Sequence, residues 1–403
     1  MFRASKLDAH LCETPITGNF VAEHLKTSLG PLAVIKSIKS AARIAVGQGF
    51  VSNILRLELE WEKDAGNSLP QTVIVKVPSV ESLHNLMDSV SNGTDERAKA
   101  KAMMAQVVAL VHKAECDLYH MFGKKPPVLM PKCYVALPVA EQAPGMIIME
   151  DLSAKGSVPP SFVRGLTYSQ LLAAVTEIAR MHAWSLTTTI DWRSKISRLE
   201  DREQLMRGLL APLPMGFKMV KEKYPNEFGS LNVEKVMEIV NYDSYTAIMN
   251  EHRRYMHHVL VHGDFHQNNM LFEKKTDGKV GDRLVALIDF QAVMQGSPGF
   301  DLGRLISFCV SHKIRRAHTG GILRRYYEEI KSKSGGKFRP TYDQMRRIFD
   351  RQFALNSFMM MASILTLNQV AVKSEGEQRL KDEKEILERV KANYDDAAKI
   401  FGF

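Results

Sequence analysis

Residues 259–272 read VLVHGDFHQNNMLF. Three apolar residues lead in, a dense polar knot of His262, Asp264, His266 and Asn269 follows, and Met270, Leu271 and Phe272 close it. An exposed loop has no reason to be bracketed in this way. The pattern predicts a buried strand that turns into a site and leaves as a second strand. Farther on, LVALIDFQ (284–291) predicts another apolar strand, with Asp289 near its exit. Asp264, Asn269 and Asp289 are thereby presented together. Phosphoryl transfer needs such a set: a carboxylate to accept the proton of the attacking hydroxyl, and an amide and a carboxylate to hold Mg2+.

Composition bounds the rest. A chain of 403 residues can bury two sizeable cores. With 45% hydrophobic and 25% charged residues it has the make-up of a globular protein, neither disordered nor fibrous. The net charge of +9 spreads solubility over a basic surface or lines a cleft for a polyanion such as ATP. No zinc finger, basic zipper or aromatic RNA-binding motif is found, so a nucleic-acid partner is not expected. Cys12, Cys116, Cys133 and Cys309 lack metal-ligand spacing and are expected to be free thiols in a reducing, cytoplasmic setting. The first ten residues lack the apolar run of a signal peptide. The apolar stretch 353–372 carries Asn, Ser, Thr and Gln, and reads as a buried helix, not a membrane span.

Residues 1–40 read as a preamble with an amphipathic helix. In AARIAVGQGFVSNILRLELEW (41–61), alternation at Leu55, Leu57 and Leu59 predicts strands around a turn at Gly47-Gln48-Gly49. TVIVKV (72–77) predicts a strand carrying Lys76 among β-branched residues; a buried lysine needs a partner, and the bland alternative is an edge strand. Apolar residues at three- and four-residue steps predict a helix from about 95 to 122. PKCYVALPV (131–139) and GMIIMEDLS (145–153) predict a strand pair. After residue 152 the pattern turns helical. His182, alone on an apolar helix at 170–186, reads as a satisfied core residue. Residues 209–217 predict a break in an irregular helical region, whose Met206, Met215, Phe217 and Met219 offer an apolar wall or plain core. Residues 272–284 predict a polar hairpin tipped by Asp277-Gly278, and helices are expected around 304–332, 341–372 and 376–400.

The pattern H-G-D-x-H-x-x-N, followed by LIDFQ, resembles the small-molecule branch of the kinase-like phosphotransferases. The similarity is to aminoglycoside phosphotransferases, to choline and ethanolamine kinases, and especially to invertebrate ecdysteroid-kinase-like and CHK kinase-like proteins. Five fixed residues recur by chance in a chain of this length with odds of roughly one in ten thousand. The resemblance implies an α+β, two-lobed protein-kinase-like fold. Its N-lobe (1–152) is an antiparallel sheet plus helix that binds nucleotide; its larger, mostly helical C-lobe (153–403) carries the catalytic loop, the Mg2+ site and the acceptor pocket.

It also implies roles residue by residue. Asp264 is the catalytic base. Asn269 and Asp289 hold Mg2+. Lys76 grips the α- and β-phosphates and pairs with a helix glutamate, for which Glu115 is the candidate. Gly47, Gly49 and Ser52 lie over the phosphates, with Ser52 near the place of a third glycine. Met149 guards the back of the adenine pocket, which the Glu150 carbonyl and the Leu152 amide contact. Asp301 holds the catalytic loop through backbone amides, and His262 braces it. His266 is open between a brace and a phosphate contact. Two departures stand out: the glycine loop is incomplete, and Phe290-Gln291 follows Asp289 in place of Phe-Gly.

The implied activity is ATP-dependent phosphorylation of a small-molecule hydroxyl. A sterol- or glycoside-like alcohol is favoured, with choline or ethanolamine open. Asp301 comes only twelve residues after Asp289, which leaves no room for a peptide-docking segment and opposes a protein kinase. The other alternative is a catalytically silent, kinase-fold nucleotide-binding or scaffold protein.

Overall fold

Period-two alternation in TVIVKV puts Val73, Val75 and Val77 on one face of a strand and Ile74 and Lys76 on the other. The computed structural model, which describes residues 7–44, 51–62, 69–80, 94–141 and 143–403, shows both faces covered. Five antiparallel strands run in the order β1-β2-β3-β5-β4. They are β1 (Ile35–Ile44), β2 (Ser52–Trp61), β3 (Thr72–Pro78), β4 (Cys133–Leu137) and β5 (Met146–Glu150). Helix α1 (Gly18–Leu29) lays Val21 and Leu25 against the face carrying Leu55, Leu57, Val73 and Val75. Helix α2 (Thr94–Phe122) lays Cys116 and Tyr119 against the other, with Ile74, Ile147 and Met149. The segment 1–40 is thus more than a preamble, since β1 begins at Ile35 and pairs with β2. The expected glycine turn, with Gly47 and Gly49, lies outside the described residues.

The chain divides into two compact units, residues 1–126 with 130–154 and residues 127–129 with 155–403. The second unit is mostly helical. Helix α3 (Tyr168–Thr187) opens on a reciprocal cap between Thr167 and Gln170 and buries Leu171, Val175, Ile178 and His182. Helices α4 (Glu203–Leu210), α5 (Leu213–Lys223), α6 (Val233–Val240) and α7 (Tyr242–Asn250) follow. A small sheet joins β6 (Gly156–Ser157), β8 (Met270–Lys274) and β9 (Val280–Leu287), and β7 (Val259–Val261) pairs with β10 (Met294–Gly296). Five more helices follow toward the C-terminal end: α8 (Pro298–Phe308), α9 (His312–Lys333), α10 (Tyr342–Ala362), α11 (Ile364–Ala371) and α12 (Gly376–Phe401). The antiparallel-sheet-plus-helix unit followed by a larger helical one is the α+β architecture that the resemblance implies.

Several boundaries differ from expectation. The break at 209–217 shrinks to two residues between α4 and α5, because Pro214 falls in the first turn of α5, where a missing N–H costs nothing. Of the apolar wall, Met206 and Phe217 are core, whereas Met215 and Met219 are exposed. The helix expected at 304–332 is two, separated where Ser311 caps α9. The helix expected at 341–372 breaks at Ser363, between α10 and α11. The polar hairpin forms as read, with Gly278 at a positive φ of 79° at its tip. All four cysteines are free thiols. Among the described residues, no helix is long and apolar enough to cross a membrane.

Candidate active site

The loop 262–269 hangs between β7 and β8, each of which pairs with other strands in a different sheet. β7 delivers it, α3 anchors β7 through the Ser185 hydroxyl, which accepts from the Leu260 amide at 3.0 Å, and β8 carries it away. At its entry the chain must turn sharply. Gly263 has φ of +82°, and a Cβ there would lie 2.1 Å from the Ala292 carbonyl oxygen, so only glycine fits. Asp301 then fixes the turn from α8. Its Oδ2 accepts from the His262 amide at 2.8 Å and its Oδ1 from the Gly263 amide at 3.0 Å. The approach of α8 to α10 that places Asp301 depends on Gly303, whose Cβ would meet the backbone of Gln352 and Phe353 at 2.9 Å.

Two histidines complete the brace. The His182 ring lies 3.2 Å from Asp301 Oδ2 through Nε2 and 2.7 Å from the Tyr326 hydroxyl through Nδ1. His182 is therefore a satisfied core residue, and its partner is the residue that holds the loop. His262 is fully buried, packed against the Phe290 ring at 4.7 Å, with Nε2 at 3.1 Å from the Ile288 carbonyl. Burial lowers the basicity of its imidazole, while Asp301, Asp264 and Asp289 oppose that shift. Its influence from three carboxylates at once marks where the loop's charges converge.

Asp264 sits at that convergence. Arg304 Nη2 donates to its Oδ1 at 2.6 Å, and its Oδ2 faces His266 Nε2 at 3.2 Å and Asn269 Nδ2 at 3.3 Å. Burial pushes the Asp264 carboxyl up, but the Arg304 guanidinium, with His266 and His262, more than offsets this and holds it well below the usual carboxylate range. The group is thus a carboxylate at neutral pH. Asn269 also donates to the Asp264 carbonyl at 2.9 Å, which leaves its amide oxygen as an acceptor. Asp289 follows β9, and the Ile288 amide donates to the Asn269 carbonyl at 3.0 Å, so a backbone hydrogen bond ties the two segments together. Asp289 adopts φ 65° and ψ 63°, a left-handed conformation that costs a non-glycine residue about 1–2 kcal/mol.

In the first unit, Lys76 lies opposite Ile54 of β2 and Ile147 of β5, so β3 is a central strand and the edge-strand alternative fails. Lys76 is 5% exposed and Glu115 is fully buried, and Lys76 Nζ lies 2.5 Å from Glu115 Oε2. The alternation that buries Val75 and Val77 under α1 turns Lys76 toward α2. Met149 is on the α2 face, with Sδ 4.0 Å from the Tyr119 hydroxyl. Glu150 ends β5, its amide bonded to the Lys132 carbonyl, and Leu152 is buried just beyond. Ser52 opens β2 opposite Pro78.

Sequence reasoning missed Arg304. The available signal was its position three residues after Asp301 on one helix, a spacing that places both on the same face.

Uncharacterized oxidoreductase dhs-27 of Caenorhabditis elegans is 24% identical over 345 residues, covering 81% of this chain. This chain spans only 40% of that relative's length. Uncharacterized kinase-like protein D1044.1 of the same organism is 25% identical over 345 residues, covering 80% of this chain and 83% of the relative. Similar solved structures include choline kinase from Cryptosporidium parvum Iowa II, 10% identical, covering 89% of each chain at a TM-score of 0.48. Another is the GDP complex of a point mutant of aminoglycoside 2'-phosphotransferase-IIIa, 14% identical, covering 91% of this chain and 94% of that one at a TM-score of 0.45. The chain belongs to the DUF1679 family, described as "Uncharacterized oxidoreductase dhs-27", whose sequence profile matches residues 9–403.

Proposed function

We propose that this protein is an ATP-dependent phosphotransferase that phosphorylates a hydroxyl group of a small molecule, with residues 1–152 as the nucleotide lobe and 153–403 as the catalytic lobe. The observation that carries this reading is Asp264: an ionised carboxylate on a clamped loop, with Asn269 against it. In the reaction the acceptor oxygen forms a bond to the γ-phosphorus of ATP. The bond from that phosphorus to the bridging oxygen breaks, ADP leaves with the electron pair, and the hydroxyl proton passes to Asp264. Lys76, fixed by Glu115, is assigned to the phosphates. Ser52, the Glu150 carbonyl, Leu152 and Met149 are assigned to the rest of the nucleotide.

Mg2+ fits the donor set. The ion prefers oxygen ligands and keeps waters and phosphates around one or two carboxylates, and the Asn269 amide oxygen and the Asp289 carboxylate are oxygens of that kind. When bound, Mg2+ supplies charge neutralisation on the phosphates. The four free thiols support a cytoplasmic setting. The resemblance favours a sterol- or glycoside-like acceptor over choline or ethanolamine.

A silent nucleotide-binding protein is the second reading. What favours it is Arg304, which occupies one oxygen of the proposed base. Thermal stability with and without MgATP tests the nucleotide site. A ligand at a hundredfold excess over its dissociation constant adds about 2.7 kcal/mol to the folded state. A Mg2+-dependent rise in Tm that Asp289→Asn abolishes is expected; no rise in the wild type counts against the nucleotide site.

A further inference from the structure

Arg304 decides what kind of alcohol the site can take. Its guanidinium is always cationic and cannot withdraw by losing a proton. It is also held in place. Cζ lies 4.8 Å from the centre of the Phe308 ring, one helical turn on, and Nη2 is engaged by Asp264 Oδ1. The 2.6 Å contact to Asp264 Oδ1 is short and charge-assisted, whereas the contacts to Oδ2 are longer, at 3.2 and 3.3 Å. Of the two oxygens, Oδ2 is the one an incoming hydroxyl can claim at least cost. Asp264 therefore meets its acceptor as half of an ion pair, not as a bare anion. Asp301 offers an acceptor no oxygen of its own, because it is fully buried and its oxygens are engaged by two backbone amides and His182.

Resting on the phosphotransferase reading, we propose that Arg304 is a positioning and charge-selecting residue, which turns Asp264 Oδ2 to the acceptor and makes the site one for neutral or anionic alcohols. An ammonium group two or three bonds from the reacting hydroxyl gains little from a carboxylate already neutralised, and it meets the guanidinium at short range. A neutral or anionic group meets no such penalty.

Three alcohols of matched shape test this on the full chain with MgATP, read by ADP release. Choline carries a positive charge, 3,3-dimethylbutan-1-ol replaces its nitrogen by carbon, and isethionate carries a sulfonate at the same spacing. Wild type should favour the neutral isostere over choline in kcat/KM by about tenfold or more. Arg304→Gln should move that ratio toward choline by a similar factor, and Arg304→Lys should restore it. A residue that merely supports the fold would depress both alcohols equally and leave the ratio alone. An unchanged ratio in Arg304→Gln overturns the inference while any measurable transfer keeps the phosphotransferase reading. If Arg304→Gln does not fold, wild-type discrimination decides: a preference for choline overturns the inference. No ADP release with any of the three, together with no MgATP-dependent rise in Tm, removes the reading and the inference with it.

Discussion

Replacing Asp301 by Asn alters the loop without altering side-chain size. The carboxylate accepts from three buried donors: the His262 amide and His182 Nε2 at Oδ2, and the Gly263 amide at Oδ1. An asparagine oxygen at the Oδ2 position keeps two of these, but it turns its NH2 group against the Gly263 N–H. One buried donor is then left unsatisfied, at about 1–3 kcal/mol, and the two surviving bonds lose their charge assistance, at about 1 kcal/mol each. The total is about 3–5 kcal/mol. Flipping the amide is no better, since NH2 then faces the His262 amide. Asp301→Ala leaves all three donors without this acceptor and should cost more. For a unit of this size each kcal/mol lowers Tm by about 2–4 °C, so Asp301→Asn should melt roughly 6–20 °C below wild type. Urea unfolding and calorimetry measure this directly. A loss below about 1 kcal/mol would refute the argument, because it would mean that the loop amides find other acceptors as good.

Other consequences can be checked independently. Gly263→Ala forces a Cβ to 2.1 Å from the Ala292 carbonyl at a positive φ. It should cost at least about 3 kcal/mol by chemical denaturation, against about 1–2 kcal/mol for Gly278→Ala, where φ is positive but nothing lies within 4 Å, so that only the backbone strain remains. Lys76→Met removes the ammonium facing the buried Glu115 carboxylate and should destabilise by about 3–5 kcal/mol. Adding Glu115→Leu should recover most of that stability yet leave MgATP binding lost, as differential scanning fluorimetry would show. Burial holds the His112 imidazole down to about 4 from its usual 6.5, with Nε2 on the Leu137 carbonyl at 2.8 Å. The unfolded chain therefore binds a proton that the folded one refuses between those pH values. Stability should fall by about 3 kcal/mol as pH drops from 6.5 to 4, and His112→Gln should flatten that fall. A Tm profile over that range with equal slopes for the two proteins would contradict it.

The loop was legible because its chemistry is packed into eight consecutive residues, 262–269, between apolar runs that can only be strands. Lys76 was legible because period two is rigid: once its neighbours pack under α1, its side chain has one direction left. Arg304 was not legible, and His182 was legible only as a satisfied core residue without its partner, because the roles of both come from contacts across long stretches of chain. His182 reaches Asp301 across 119 residues, and Arg304 reaches Asp264 across 40. Periodicity assigns such residues a face but not a partner. The helix ends near 309–311 and 363 were missed for a related reason. Ser311 caps α9 through its hydroxyl, whereas the Ser363 hydroxyl donates back to the Met359 carbonyl, and sequence alone does not tell these two uses of a serine apart. Met215 and Met219 show the limit of composition, since the same residue type is core at Met206 and exposed there.

The most direct test of the central claim follows the γ-phosphoryl group itself. Single-turnover transfer from labelled ATP to an alcohol acceptor would be compared between wild type and Asp264→Asn, both saturated with MgATP. The expected result is that Asp264→Asn keeps its MgATP-dependent rise in Tm and loses transfer by about a hundredfold or more. Equal transfer in the two proteins would contradict Asp264 as the base. Transfer in neither, with nucleotide bound by both, would favour a silent nucleotide-binding protein.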